Sequence, residues 1–380
     1  MTTPEVQFVP GLAGVVAAKS SISDIDGQKG ILKYRGYAIQ ELAEKSTFEE
    51  SAYLIMNGEL PTKQQLGKFD SDLKRNRNVD PRLLDIIKAF PKNGHPMSAL
   101  QAAVAAMGML YPRKIDDDAT NDAAGLRLIA QTATIIAAFD RLRKGKEVVP
   151  PRDDLSHAAN FLYMINGEVP SETAAMVFDV CLVLHIEHSQ NASTFTAMVT
   201  GSTTADPYST MASAIGSLSG PLHGGANERV LAMLKEIGSP DKAKAAIESK
   251  IEKKELIMGM GHREYKTMDP RATILKGLNE TVFQKLGRSP LFDIALEAEK
   301  VVIDRLGARG IWPNVDFYSG IVYDKLGIEV DLFTPVFAIP RMAGWVAHWR
   351  EQIADNRIFR PSQIFVGSGD RKYTPIEKRG

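Results

Sequence analysis

The chain has 380 residues, with 46 lysines and arginines against 46 aspartates and glutamates, so its formal net charge is zero. That length suits about two to three domains of roughly 150 residues each. Charged residues make up 24% and hydrophobic residues 44% of the sequence, a composition that argues against disorder, and the lack of a basic excess argues against nucleic-acid binding.

The N-terminal residues Met1–Glu5 have neither the basic and apolar regions of a secretory signal nor the composition of a transit peptide. The single cysteine, Cys181, cannot form an internal disulfide, which fits a reducing compartment. The longest apolar stretch, 99–111, is shorter than the roughly 20 residues that cross a bilayer. We therefore expect a cytoplasmic protein with no membrane or nucleic-acid partner.

The first predicted element is a small β-hairpin within residues 13–36. The alternating residues 22–25 lead through Asp26 and Gly27 into the apolar stretch 31–34, a pattern typical of two strands joined by a tight turn. It is the one clear β feature of the sequence.

Helices are predicted along the rest of the chain, which makes the fold class mainly α. The stretches 46–49 and 62–65 match the capping-box pattern that opens a helix. The 3.6-residue period predicts further helices at 81–90, 97–111, 123–144, 152–165, 172–188, 226–237, 240–254, 270–286 and 289–306. The stretches 53–62 and 162–171 each end a helix at Asn-Gly and start the next with proline and a hydroxyl residue, which we interpret as shared turn chemistry.

The helix predicted at 172–188 is apolar on nearly all sides, as expected for a helix buried in a large domain. It places the polar side chains of His185, Glu187 and His188 at its end. The stretch 212–225 is rich in alanine, serine and glycine, which permits close packing of the backbone or close approach of a ligand.

Two histidines lie in glycine-rich segments. His223 lies within Gly220–Gly225, where it either belongs to an incidental turn or directs its imidazole toward a ligand. His262 follows Gly259–Gly261 and precedes basic residues, a setting that suits an anion. The second segment does not match a dinucleotide fingerprint or a P-loop.

Three arginines and one aspartate complete the candidates. Asp269 is predicted to cap a helix, which places Arg271 in the first turn, where the helix dipole disfavours a cation; either an anion lies beside Arg271 or its side chain extends to solvent. Asp316 is either a helix N-cap or a general base with a raised pKa. Arg341 lies in an apolar run and needs an acidic partner or an anionic ligand. Together with Arg360, these arginines would suit a dicarboxylate or a phosphate-bearing ligand.

A metal site is disfavoured by the sequence. Cys181, His185 and His188 share one predicted helix, but their spacing differs from that of the common zinc signatures. Cys181 lies among apolar neighbours, so we expect it to pack as a small hydrophobic side chain and not to act as a nucleophile.

Four motifs resemble the citrate synthase family in order and spacing. They are Glu187-His188-Ser189-Gln190-Asn191-Ala192-Ser193, Gly220-Pro221-Leu222-His223-Gly224, Gly261-His262 with Asp269-Pro270-Arg271, and Pro313-Asn314-Val315-Asp316. The resemblance extends from the hairpin to Arg360-Pro361, and the length is similar to that of the shorter bacterial and archaeal members. Glu264 and Ser189-Gln190 depart from the more frequent family pattern.

The resemblance implies condensation of acetyl-CoA with oxaloacetate and hydrolysis of citryl-CoA to citrate and CoA, the entry step of the tricarboxylic acid cycle. It implies Asp316 as the base, His223 as the donor to the thioester oxygen and His262 as the donor to the ketone of oxaloacetate. Oxaloacetate binding is assigned to His188, Arg271, Arg341 and, from a partner subunit, Arg360. CoA contacts are assigned to Met258, Gly259, Met260, Gly261 and Asn314, and no metal or cofactor is implied.

The implied architecture is a two-domain helical fold with the small N-terminal hairpin. Residues 1–224 and 323–380 would form a large domain, and residues 225–322 a smaller inserted domain. A homodimer, at least, is implied because Arg360 would serve the neighbouring subunit. Two alternatives stay open: a 2-methylcitrate synthase, which uses propionyl-CoA, and a non-catalytic structural homologue.

Overall fold

A computed structural model describes residues 8–111 and 117–379 of the chain. The N-terminal Met1–Glu5, which shows no targeting pattern, lies outside that part. The described residues form sixteen α-helices and three short strands, which confirms the mainly α class. None of these helices combines the length and the apolar character needed to cross a membrane.

The secondary structure covers most of the described chain. The strands are β1 (Ser23–Asp26), β2 (Ile31–Tyr34) and β3 (Tyr37–Ala38). The helices are α1 (Ile39–Lys45), α2 (Phe48–Asn57), α3 (Lys63–Asn76), α4 (Pro81–Ala89), α5 (Pro96–Leu110), α6 (Asp118–Arg143), α7 (His157–Asn166), α8 (Glu172–His185), α9 (Ala192–Ser202), α10 (Pro207–Leu218), α11 (Ala226–Ile237), α12 (Pro240–Glu252), α13 (Pro270–Leu286), α14 (Pro290–Leu306), α15 (Val315–Lys325) and α16 (Phe333–Ala354). Single-turn 3-10 helices cover Pro10–Leu12, Gly307–Arg309, Val330–Leu332 and Ile376–Lys378.

The predicted hairpin is confirmed as β1 and β2 of an antiparallel sheet in the order β1-β2-β3. The Tyr34 hydroxyl donates a hydrogen bond to Glu187 O at 3.0 Å and accepts one from Glu187 N at 3.2 Å. At the turn of the hairpin, Lys266 N donates to Gly27 O at 2.9 Å. The hairpin therefore contacts both the end of α8 and the loop that precedes α13.

Capping chemistry sets most of the helix starts. The predicted capping box at Thr62 is confirmed, with both of its hydrogen bonds present. The prediction that Ser46 caps α2 is wrong. Thr47 is the cap of α2, because Glu49 turns inward and accepts a hydrogen bond from His157 N at 2.7 Å. The Asn-Gly helix ends are confirmed, with Gly58 and Gly167 both at positive φ.

Helix α8 ends at His185, three residues earlier than the apolar pattern predicts. Its terminal carbonyl groups bind side chains from elsewhere, since Leu184 O accepts from the Tyr34 hydroxyl at 3.4 Å and His185 O accepts from Arg341 Nε at 2.9 Å. Because those carbonyls are occupied, the chain leaves the helix and His188 lies in the segment that follows it.

Helix α16 is the central helix of the molecule. Every residue from Phe333 to Trp349 is buried, and the helix packs against α2, α6, α8, α9 and α10. The sequence pattern predicts neither this helix nor α1, α9 and α10. Proline at position 340 interrupts the expected pattern, yet the surrounding helices hold α16 as one element across it.

The helices α11 to α15 pack mainly against one another. They contact the remaining helices where α13 meets α1 and α8 and where α11 meets α16. The predicted division into 1–224, 225–322 and 323–380 stays a prediction.

Candidate active site

Two buried segments form one side of the candidate site, and we call them the helical wall: residues 187–193 and the Arg341–His348 part of α16. They approach each other closely because residue 344 is a glycine. A Cβ atom at Gly344 would overlap Ile186 O and would lie 2.8 Å from Glu187 Oε2. Three side chains of α16, spaced one and two turns apart, contact the first segment or the residues next to it.

Arg341 is the first of these side chains. It is 1% exposed, its Nε donates to His185 O at 2.9 Å, and its guanidinium lies 4.7 Å from the centre of the Phe337 ring. Its Nη2 is buried without a hydrogen-bond partner among the described residues, and burial lowers the pKa of Arg341 to about 10. A buried cation with an unused donor is suited to bind an anion.

His348 and Glu187 form a second buried link between the two segments. His348 Nε2 lies 3.0 Å from Glu187 Oε1, which also accepts from Ser23 Oγ at 3.1 Å. Burial acts to raise the pKa of Glu187, but His348, the charge of Arg341 and the Ser23 hydrogen bond together hold it below its usual value. Glu187 is therefore an ionised group directly before His188.

Trp345 supports His223 through one intermediate residue. Trp345 Nε1 donates to Ser193 Oγ at 3.1 Å, and Ser193 Oγ lies 2.8 Å from His223 Nε2. Asn191 Oδ1 is also close to His223 Nε2, at 3.2 Å. Burial, together with the charge of Arg341, lowers the pKa of His223 to about 4, so the ring is neutral near pH 7. His223 is thus held by contacts with Ser193 and Asn191, and its ligand-facing role stays a prediction.

The other side of the site is built from loops, and we call residues 257–271 and 312–316 the loop wall. Asn314 N donates to Gly259 O at 2.9 Å, and Asn314 Nδ2 donates to Gly261 O at 2.9 Å. Gly259 has φ 76°, and a Cβ atom there would lie 2.9 Å from Phe317 Cα, so glycine is required. The backbone itself thus carries most of the contacts between these two segments.

His262 lies in the loop wall with a defined proton position. Its Nδ1 accepts from Glu264 N at 3.0 Å, so in the neutral ring the proton is on Nε2. Burial and then the charge of Arg271 lower the pKa of His262 to about 4. The His262 ring centre is 5.0 Å from that of His188. His262 is therefore a neutral donor next to the helical wall.

Arg271 is 2% exposed, so its extension to solvent is excluded and the anion expected beside it is Asp269. The Asp269 carboxylate accepts from Arg271 Nε at 3.1 Å and from Nη2 at 2.8 Å. It also accepts from Arg271 N at 2.9 Å, which confirms Asp269 as the helix cap, and from Val315 N at 3.2 Å. Burial acts to lower the pKa of Arg271, but Asp269 raises it above its usual value.

Asp316 is not the helix cap. Asn314 takes that position and its side chain accepts from Asp316 N at 3.0 Å, so Asp316 lies in the first turn of α15. Its Oδ1 is buried with no hydrogen-bond partner among the described residues. Burial raises the pKa of Asp316 to about 7, against the opposing charges of Arg271 and Arg341. The helix-cap interpretation of Asp316 is therefore wrong, and its role as a base stays a prediction.

The remaining predictions concern the CoA contacts, Arg360, Cys181 and a metal site. Met258, Gly259, Met260 and Gly261 lie together with Asn314 in the loop wall. Arg360 is exposed and has no hydrogen bond or ion pair to the site within the described part of the chain. Cys181 is buried, and burial raises the pKa of its thiol. Within residues 8–111 and 117–379, no cluster of His, Cys, Asp and Glu is arranged to hold a metal ion.

Several supporting residues were not identified from the sequence. Ser193 and Asn191 belong to the motif of residues 187–193, and their closeness to His188 in the sequence could have marked them as parts of the site. Trp345, His348 and Tyr265 carry no such signal, because their contacts join segments that are distant in the sequence.

Comparison with known proteins finds relatives along nearly the whole chain. The family model described as "Citrate synthase, C-terminal domain" matches residues 11–362. A citrate synthase from Synechocystis is 52% identical, with 100% of this chain and 96% of the relative covered. A citrate synthase from Acidithiobacillus ferridurans is 51% identical, with 99% of each covered.

Solved structures give the same result. The citrate synthase from Pyrobaculum aerophilum superimposes with a TM-score of 0.90 at 43% identity, covering 100% of this chain and 98% of that chain. The Thermoplasma acidophilum enzyme, solved as a ternary complex with carboxymethyl coenzyme A and oxaloacetate, superimposes with a TM-score of 0.93 at 32% identity, covering 98% and 100%.

Proposed function

This chain belongs to the citrate synthase family and condenses acetyl-CoA with oxaloacetate, and we propose that the residues of the two walls divide that work as follows. The difficult step is removal of a methyl proton from acetyl-CoA, because the resulting carbanion is a strong base. A positioned base acting together with a donor at the developing enolate oxygen lowers this barrier.

Asp316 is the proposed base, and its buried, unpartnered Oδ1 is the observation that carries the proposal. A desolvated carboxylate with a pKa of about 7 is a stronger proton acceptor than an exposed aspartate and is still ionised in part at neutral pH. Among the described residues, the Oδ1 atom has no hydrogen-bond partner that would compete with the incoming proton.

His223 and His262 are the proposed donors to the thioester oxygen and to the ketone of oxaloacetate. Both rings are neutral near pH 7, since the pKa of each is lowered to about 4. His262 presents Nε2–H because backbone N–H groups occupy Nδ1. His223 presents Nδ1–H because its Nε2 accepts a hydrogen bond from Ser193 N at 3.3 Å. Neutral donors of this kind stabilise an enolate and a polarised ketone.

Oxaloacetate is proposed to bind between the walls through His188, Arg271 and Arg341. The two arginines come from opposite walls, so a dicarboxylate would bridge them and fix the orientation of its ketone. CoA is proposed to lie along Met258–Gly261 and Asn314, where the side chains of Met258 and Met260 are half-buried. These side chains supply the base and the donors, so we propose a reaction without metal or organic cofactor, which would continue after dialysis against a chelator.

A homodimer, with Arg360 contributed to the oxaloacetate site by the second copy, is part of the proposal. Exposed α5 residues Ser98, Ala102, Ala105 and Met109 lie on one helix face, and Met109 is 79% exposed. The C-terminal segment leaves further apolar side chains open, with Phe365 71% and Val366 91% exposed. Apolar surface of this kind marks contact with another chain.

Mixing inactive variants tests the shared site. Asp316→Asn and Arg360→Ala should each be inactive alone. After subunit exchange, heterodimers would contain one intact site, so activity should return in the mixture. A mixture that stays inactive although exchange is demonstrated would contradict the contribution of Arg360 from a second copy.

The central experiment measures release of the CoA thiol from acetyl-CoA with and without oxaloacetate. Release should require oxaloacetate, and Asp316→Asn should lower kcat by about 10²- to 10⁴-fold. Asp324→Asn, on the same helix and paired at the surface with Lys235, is the matched control and should keep full activity. An unimpaired Asp316→Asn enzyme would remove Asp316 from the mechanism.

The alternatives are separated by the same assay. The relatives reported above are citrate synthases and give no support to a 2-methylcitrate synthase, so kcat/KM for acetyl-CoA should exceed that for propionyl-CoA. Turnover itself excludes a non-catalytic homologue. A cytoplasmic location and closure of the 225–322 domain over oxaloacetate also belong to the proposal, and cell fractionation and solution scattering with oxaloacetate test them.

A further inference from the structure

Tyr265 is the one buried residue between Arg263 and Met268 in the loop wall. It is 1% exposed, whereas its neighbours Glu264 and Lys266 are exposed. Its ring centre lies 5.5 Å from that of His188 and 4.9 Å from that of His262. Its hydroxyl lies 3.1 Å from His188 Nε2. A phenol therefore joins the two walls at one of the proposed oxaloacetate ligands.

We propose that Tyr265 is a positioning residue whose hydroxyl donates to His188 Nε2 and thereby fixes which ring nitrogen of His188 carries the proton. The direction follows from the inventory of donors. If His188 Nε2–H donated to the phenol oxygen, the phenol proton would be left buried without an acceptor among the described residues, which is costly.

The charge states agree with this direction. Burial raises the pKa of Tyr265 and lowers that of His188, so near pH 7 the phenol keeps its proton and the imidazole is neutral. A neutral imidazole that accepts at Nε2 holds its proton on Nδ1. The other tautomer would offer a lone pair at Nδ1, which repels a carboxylate. Tyr265 thus makes His188 a donor for oxaloacetate, an inference that rests on the proposed role of His188.

The hydroxyl is separable from the packing of the loop. The backbone on the C-terminal side of Tyr265 is held by Lys266 N donating to Gly27 O at 2.9 Å, and on its N-terminal side Glu264 N donates to His262 Nδ1 at 3.0 Å. Neither contact involves the phenol oxygen. Tyr265→Phe therefore removes the hydrogen bond and keeps the buried ring.

The experiment reads the tautomer directly in the full chain by ¹⁵N NMR with labelled histidine. The His188 signals are assigned by their loss in His188→Ala. In the parent protein we expect Nδ1 protonated and Nε2 unprotonated at pH 7.5. In Tyr265→Phe we expect a tautomer mixture, an oxaloacetate KM raised about 3- to 10-fold and an unchanged KM for acetyl-CoA.

Tyr208→Phe is the matched control, because Tyr208 is equally buried and loses a hydrogen bond from Arg127 Nη1 of 2.7 Å that does not involve the site residues. It should leave the His188 tautomer and the oxaloacetate KM unchanged. A parent protein with His188 protonated at Nε2, or a Tyr265→Phe enzyme whose oxaloacetate KM stays within twofold, overturns the inference. If His188→Ala binds oxaloacetate normally, the proposed role of His188 fails instead, while the tautomer measurement still decides the hydrogen bond.

Discussion

The helical wall and the loop wall hold functional side chains by different physical means. In the helical wall, buried side chains bind one another across two segments, as Trp345 binds Ser193 and His348 binds Glu187. In the loop wall, the backbone makes most of the bonds, as Asn314 N donates to Gly259 O. The first arrangement depends on the identity of each partner, whereas the second depends on the path of the chain.

The two arginines show the difference most clearly. Arg271, in the loop wall, is neutralised by Asp269, while Arg341, in the helical wall, keeps a buried nitrogen that has no hydrogen-bond partner among the described residues. One cation is already balanced inside the protein, and the other is balanced in part by the charge of Glu187. Of these two cations, the one with an unused donor among the described residues therefore lies in the helical wall.

The largest expected effect separates these arginines. Arg271→Met leaves Asp269 buried without its cation and should lower the free energy of unfolding by about 3–5 kcal/mol. Arg341→Met removes an incompletely paired buried charge and should leave that free energy within about 1 kcal/mol of the parent value. Both variants should weaken oxaloacetate binding, by about 10- to 150-fold. Urea unfolding and calorimetric titration measure the two quantities, and equal losses of stability would contradict the comparison.

A substitution in the hairpin tests how far the function of the loop wall depends on the position of its backbone. A Cβ atom at Gly27 would overlap Glu264 O and lie 2.6 Å from its carbonyl carbon. Gly27 is not at positive φ, so Gly27→Ala acts through this contact alone. Displacement of the loop should lower kcat/KM by about 10- to 100-fold. Gly67→Ala, in open space on α3, is the control and should keep full kcat/KM; unchanged kinetics in both variants would exclude a role for the hairpin contact.

The pH profile tests Asp316 against the histidines. A base must be ionised, and the pKa of Asp316 is raised to about 7, so kcat should fall as the pH drops through 7 and approach a tenfold loss per pH unit. His223 and His262, with pKa values of about 4, should add nothing above pH 5. Turnover measured from pH 5.5 to 8 checks this, and a kcat that stays constant over that range would contradict it.

The smallest expected effect concerns a single donor in the helical wall. Trp345→Phe removes the hydrogen bond to Ser193 Oγ and keeps an aromatic ring in the core. We expect kcat to fall about 2- to 10-fold, from the loss of about 0.5–1.5 kcal/mol, with the KM for oxaloacetate unchanged. A change in KM without a change in kcat would show that Trp345 acts on the substrate pocket and not through His223.

The sequence predicted the elements whose signals are local. The hairpin, the Thr62 capping box and the start of α13 at Asp269 depend on neighbouring residues, and all three are present. The predicted end of α8 was wrong because Tyr34 and Arg341, distant in the sequence, bind its last carbonyl groups.

The same distinction applies to the site. A polar or charged residue in an apolar or glycine-rich segment is unusual, and this signal identified His188, His223, His262, Arg341 and Asp316. In the structure, the charge of Arg341 acts on the pKa of His188 and on that of Asp316. Their proton positions could not be predicted, because these depend on contacts such as that of Tyr265 with His188. Pairings of that kind exist only after the chain has folded.

Gly344 lets α16 and the segment that follows α8 pack backbone against backbone, because it has no side chain. A Cβ atom at this position would overlap Ile186 O. A change of side-chain rotamer cannot relieve this overlap, because both atoms are fixed by the backbone, so Ile186 O would have to move. Such a change would push α16 away from Ile186 at a position one turn beyond Arg341. The close approach of α16 to the segment after α8 thus depends on the absence of a Cβ atom at Gly344.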